Sequence, residues 1–254
     1  MLFAFKLILS PLLIGGATLA ARRWGQSVGG WIVGLPLTSG PVSVFLALEQ
    51  GREFASASAH GSLFGIAGVA LFCAVYSRCA ERLHWPWASL LTLAVYFSGV
   101  ALFSLFHPSL AVAVCILFLA LKLFLLILGL PGKQEFTKAA PWWDLPLRMT
   151  SATLLVLGIT ASASFLGPAW SGLLAPFPAF TFVMGVFAHV QYGPVAVRQV
   201  MRGVIVGCHA AGTFFLMVCL TVESLNLAAV YILATAAALA VNAGTFVLLK
   251  HIKM

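Results

Sequence analysis

Apolar runs of about 20 residues recur along the whole chain, and no other feature narrows the choice of fold so far. About 20 apolar residues in helical form span the hydrocarbon core of a bilayer. Lipid offers no partner to a backbone N–H or C=O, so a spanning chain must be helical or a closed barrel. Barrel strands alternate apolar and polar residues, and these runs do not. With 62% of residues hydrophobic and 8% charged, too little polar surface remains for a water-soluble domain. The chain therefore reads as an all-α polytopic membrane protein.

Nine transmembrane helices are predicted, at about 2–21, 30–48, 57–77, 85–106, 109–130, 147–166, 170–190, 200–220 and 227–248. The first run could pass for a signal peptide ending near Ala20-Ala21, but Arg22 and Arg23 follow it rather than precede it, so it reads as a span. With the N-terminus outside, the inside segments hold Arg22, Arg23, Arg78, Arg82, Lys133, Lys138, Arg148, Arg198, Arg202, Lys250 and Lys253. The outside segments hold only Lys6 and Arg52. That bias predicts an N-terminus outside and a C-terminus in the cytoplasm. The same scatter of basic residues through short loops accounts for the net charge of +8 without nucleic acid as a partner.

A shift of 142 residues, without gaps, superposes the chain on itself. Glycines fall on glycines at 16/158, 25/167, 30/172, 51/193, 61/203 and 65/207. Pro36/Pro178, Phe45/Phe187, Phe72/Phe214, Glu81/Glu223 and Leu83/Leu225 also coincide, and Lys6 falls on Arg148. Such self-similarity marks an internal repeat. The reading is a first four-helix repeat over 1–107, a linking helix and cytoplasmic loop over 108–143, and a second four-helix repeat over 144–254. An odd number of spans separates equivalent helices, so the two repeats must be inverted, the plan common among secondary transporters.

Each repeat carries a proline cluster within an apolar run: Gly34-Leu35-Pro36-Leu37-Thr38-Ser39-Gly40-Pro41, and Ala175-Pro176-Phe177-Pro178-Ala179-Phe180-Thr181. Proline removes a backbone donor and pushes the preceding residue out of the helical region. One reading is a pair of discontinuous helices whose freed backbone, with Thr38, Ser39 and Thr181, faces a substrate. The other is a pair of proline kinks whose hydroxyls bond back to their own helix. Thr38 and Ser39 give the first cluster the greater hydrogen-bonding capacity, so the predicted site is asymmetric.

Polar residues within the runs extend the candidate set. His209 lies mid-span and Asn242 well inside the last helix, as substrate contacts or as interhelical glue. Arg202 precedes His209 by seven residues and so shares its helix face; its repeat equivalent is His60. These two basic positions would suit a gate or anion path, or snorkel to the interface. Lys122 lies within the fifth run and is read as snorkelling. The six acidic residues, Glu49, Glu53, Glu81, Glu135, Asp144 and Glu223, all fall at span ends or in loops, which argues against a carboxylate-based cation site. Glycines 61, 65, 68, 203 and 207 have small-xxx-small spacing and predict helix packing where the repeats meet.

The chain carries no enzyme motif such as HExxH, GxSxG or a phosphate-binding loop, so no catalytic residue, metal or cofactor is assigned. Cysteines 73, 79, 115, 208 and 219 lack CxxC spacing and read as reduced, packed thiols.

The second repeat resembles the small four-span GlpM-like inner-membrane proteins. The resemblance rests on Gly172-Leu173-Leu174, Pro176-Phe177-Pro178, Phe180, His189, Gly193 and Val197-Arg198, and runs to the basic end at Lys250, His251 and Lys253. The first repeat keeps the glycines and Pro36 but has Ala47 in place of His189. The resemblance implies a bacterial inner-membrane location and a link to exopolysaccharide (alginate) production, with no assigned chemistry. Two functions follow as expectations. One is a secondary transporter for an anionic or zwitterionic small molecule. The other is a non-transporting accessory protein for envelope or exopolysaccharide biosynthesis, working as a homodimer or with a biosynthetic partner.

Overall fold

The computed structural model describes the backbone at residues 2–37, 39–104, 108–130, 140–166 and 177–252, and side chains at 7–37, 39–102, 108–130, 140–159 and 177–246. Among the described residues there are ten helices and no strand. They are α1 (Leu2–Trp24), α2 (Gln26–Val33), α3 (Ser39–Gln50), α4 (Arg52–Ala80), α5 (Trp85–Ser104), α6 (Leu110–Leu128), α7 (Asp144–Leu166), α8 (Ala179–Tyr192), α9 (Pro194–Thr221) and α10 (Leu227–Ile252). Five of them, α4, α5, α6, α9 and α10, are long and apolar enough to cross a membrane, and α8 is a shorter apolar helix.

The helices at the centre are α4 and α9. Leu63, Phe72 and Tyr76 on α4, and Val200, Ile205 and Phe215 on α9, are buried in one core. The two helices run antiparallel. Glu81, just past the end of α4, pairs with Arg198 in the first turns of α9, and Ser56 in the first turns of α4 donates to Glu223, just past α9, at 3.3 Å. α6 packs on both of them; α5 lies against α4, and α10 against α9. To one side α1 and α7 also pair antiparallel: Gly15 meets Met149, and Arg22 meets Asp144. Apolar side chains such as Leu119 and Leu126 on α6 point away from the bundle, 67% and 70% exposed, as a lipid-facing surface requires.

The run predicted as one span at 30–48 is two helices. α2 ends at Gly34, whose N–H bonds the Gly30 carbonyl at 3.0 Å, and the ladder resumes when Gly40 N–H reaches the Pro36 carbonyl at 2.8 Å. Pro36 occupies the break, because it has no N–H to continue the ladder. Pro41 does not break the chain. It lies in the first turn of α3, where the N–H would be unpaired in any case. Pro178 precedes α8 in the same way, its carbonyl accepting from Phe182 N–H at 2.8 Å.

Candidate functional site

The broken helix lies alongside α9, close enough for backbone contact. Gly30 faces the Val200 carbonyl; Gly34 faces Val204, Gly207 and Cys208; Gly203 and Gly207 face the Ser27 and Trp31 carbonyls. A methyl group at any of these four glycines would overlap backbone atoms of the facing helix. In lipid, where apolar burial does not drive helices together, such small-residue contacts hold an interface. Beyond the break, Gly40 rests on the Phe214 ring of α9, 3.4 Å from where its Cβ would be. Gly68, by contrast, packs on Tyr96 and Val100 of α5, and Gly61 faces open space, so neither joins this seam.

Of the first proline cluster, Thr38 lies outside the described residues, and Ser39 is exposed at the start of α3. The hydroxyl that does tie this segment down is Ser43, which the sequence reading missed. Its Oγ–H donates to Tyr231 Oη at 2.9 Å, and the Tyr231 hydroxyl donates to the Ser43 carbonyl at 2.8 Å, fastening α3 to α10. Beside the break is an apolar cavity of about 20 Å³, lined by Leu13, Ile32, Val33, Leu35, Leu37 and Phe180. That volume admits about one water, and the side chains that line it are all apolar. Phe180 belongs to the second cluster, so the two proline-bearing segments meet at this cavity.

Of the remaining candidates, His209, Arg202, His60 and Asn242 do not line that cavity. Pro176 lies outside the described residues; Pro178 and Thr181 are buried at the start of α8. His209 turns to α6, its ring 6.2 Å from Phe118. Its Nδ1 lies 3.0 Å from the Ile205 carbonyl and 3.2 Å from that of Val206, so Nδ1 carries a proton and donates to its own helix. Arg202 donates to the Leu125 and Gly129 carbonyls at 3.2 and 2.6 Å, capping the C-terminus of α6. His60 sits edge-on to Phe64, with Nε2 unpartnered among the described residues. Asn242 places Oδ1 in the interior without a described partner, one turn from Thr245, which accepts from the Trp31 indole at 3.3 Å.

One polar cluster was not foreseen. Asp144 and Arg148 were read as loop or inside-segment charges, yet their side chains are 1% and 2% exposed. Arg148 Nε–H donates to Asp144 Oδ1 at 2.8 Å, Arg22 donates to Oδ2 at 2.7 Å, and the Gln191 amide donates to Oδ1. The Arg148 guanidinium also lies 4.8 Å from the centre of the Phe187 ring and 3.4 Å from Met184 sulfur. Burial pushes the Asp144 carboxyl up, but the two arginines and Gln191 outweigh it and hold its pKa below the ordinary carboxylate value. Two guanidiniums on one carboxylate leave the cluster with one surplus positive charge, and Arg22, about a third exposed, connects it to the surface. The i,i+4 spacing of Asp144 and Arg148 was legible in the sequence; the third partner, 122 residues away on α1, was not.

The five cysteines are free; Cys73 and Cys208 are packed in the core, whereas Cys115 lies on an exposed face of α6. No protein-family model, curated protein or solved structure matches this chain.

Proposed function

We propose that the chain is a nine-span membrane protein made of two inverted four-helix repeats joined by α6. In this reading α2 and α3 form one broken span, and α8 ends another. Several observations support it. Helices equivalent under the 142-residue shift, α1 with α7 and α4 with α9, pack antiparallel. The Glu81–Arg198 and Glu223–Ser56 contacts exchange with each other under the same shift. The Pro36 and Pro178 carbonyls each accept the opening bond of the helix that follows.

On this plan the protein is a small secondary permease for an anionic or zwitterionic molecule, working by alternating access between the repeats. The observation that carries this reading is the helix break at 34–37, set against the glycine face of α9 and beside the start of α8. Between the two repeats α2 meets α9 through small residues, while Trp31 bonds Thr245 and Ser43 bonds Tyr231 on α10, so parting the segments breaks few side-chain contacts on α9 and two hydrogen-bonded links to α10. The surplus cation of the Arg22–Asp144–Arg148 cluster favours anionic cargo at the end of the bundle it occupies. Flux of a radiolabelled anion panel into proteoliposomes tests it; folded protein that moves none of the panel would count against transport.

A second reading has its own support. The cavity at the break is apolar and about 20 Å³, and the α2–α9 seam is closed backbone to backbone. Those features suit an accessory protein of envelope or exopolysaccharide assembly, the role implied by the GlpM-like resemblance. It predicts co-purification with a membrane synthase or secretion partner and no flux.

A further inference from the structure

We infer that the groove between α6 and α9 binds the phosphate headgroup of an anionic phospholipid. The inference is independent of the transport reading. The groove is set by two contacts: Phe118 meets His209, and Leu125 meets Arg202, so α6 and α9 run antiparallel along it. Phe118, Lys122, Leu125 and Gly129 recur every three or four residues and share one face of α6. Lys122 therefore falls between the levels of His209 and Arg202 along the groove, and its side chain is exposed.

The charges here are unbalanced. Glu81 is engaged by Arg198 and by Arg78, the latter at 3.8 Å. Arg78 and Arg202 also cap the last carbonyls of α6, one from each long helix. Among the described residues no carboxylate pairs with Lys122 or Arg202, and Arg202 Nε is buried without a partner. The Nδ1 proton of His209 is spent on its own helix.

Depth selects the ligand. Lys122 is six residues before the last residue of α6 and Arg202 eight after the first of α9, so both lie roughly 9–12 Å in from the helix ends. A lysine at that depth extends along the apolar surface to the interface, where lipid phosphates reside. Leu119, Leu123 and Leu126 are exposed beside it and offer a seat for the acyl chains. A soluble anion would have to cross that leucine surface; a lipid already lies against it.

The test is native mass spectrometry of detergent-solubilised protein titrated with phosphatidylglycerol, with phosphatidylcholine of the same acyl chains, or with inorganic phosphate. Phosphatidylglycerol should be retained over phosphatidylcholine, and phosphate should not compete. Lys122→Gln should cut that retention roughly fivefold, with no change in the lipid-free Tm. Arg52→Gln, at the opposite end of α4, should leave it unchanged. Equal retention of the two lipids, full competition by phosphate, or unaltered retention in Lys122→Gln would overturn the assignment. Because Lys122 is exposed and makes no described contact, its variant stays folded even if Arg202 variants do not.

Discussion

Gly51 and Gly193 adopt the same backbone conformation, φ 90°, ψ 179° and φ 80°, ψ −169°, each one residue before the two longest helices. Only glycine enters this region without strain. They are 142 residues apart, so the shift that aligns the sequence with itself also aligns these two joints. In each case the glycine lets a shorter helix end and a long one begin at once, with no intervening loop.

Gly51→Ala and Gly193→Ala should each destabilise the protein by about 1–3 kcal/mol. A Cβ at either position meets nothing within 4 Å, so the cost is conformational and should be alike in both. Thermal melts in detergent check it; a large effect at one and none at the other would separate the two joints.

Gly207→Val should disrupt the seam of α2 and α9, costing at least about 1–3 kcal/mol through overlap with the Trp31 carbonyl and Gly34. Gly61→Ala, a helical glycine facing open space, should be neutral or stabilise by up to about 1 kcal/mol. The pair separates close approach from mere loss of glycine, and both are read from the same melts.

Asp144→Ala should cost about 3–5 kcal/mol, because it leaves Arg148 buried and unpaired. The Asp144 pKa is lowered in the fold, so its contribution is complete above the unfolded carboxyl value, near 3.9, and fades as pH falls through the lower folded value. The wild type should therefore lose stability below about pH 4. Asp144→Asn should be weaker at neutral pH and lack that component of acid loss. Melts from pH 3 to 7 compare the two.

Tyr231→Phe should cost about 1 kcal/mol, since the buried Ser43 carbonyl and hydroxyl both lose their partner on α10. If α3 moves during a transport cycle, the same variant should change flux more than stability. Proteoliposome assays alongside melts distinguish the two effects.

The proposed orientation places Glu53 outside and Arg82 inside. In a cysteine-free background, Glu53→Cys should react with a membrane-impermeant maleimide in intact cells, and Arg82→Cys only after lysis. The opposite pattern would invert the topology.

What the sequence determined by itself was local or periodic: helices long enough to span lipid, proline clusters around Pro36 and Pro178 that disturb a helix, and a 142-residue self-similarity. The i,i+4 pair Asp144 and Arg148 was also visible as spacing, though not as a buried pair. The tertiary structure alone decided which faces meet. It set Gly30 and Gly34 against Gly203 and Gly207, turned His209 towards Phe118 and away from the break, and brought Arg22 to Asp144. The reason is physical. In a soluble helix the apolar stripe marks the buried side, but in lipid both sides are apolar, and the pattern that would reveal a helix's partner is absent from the sequence.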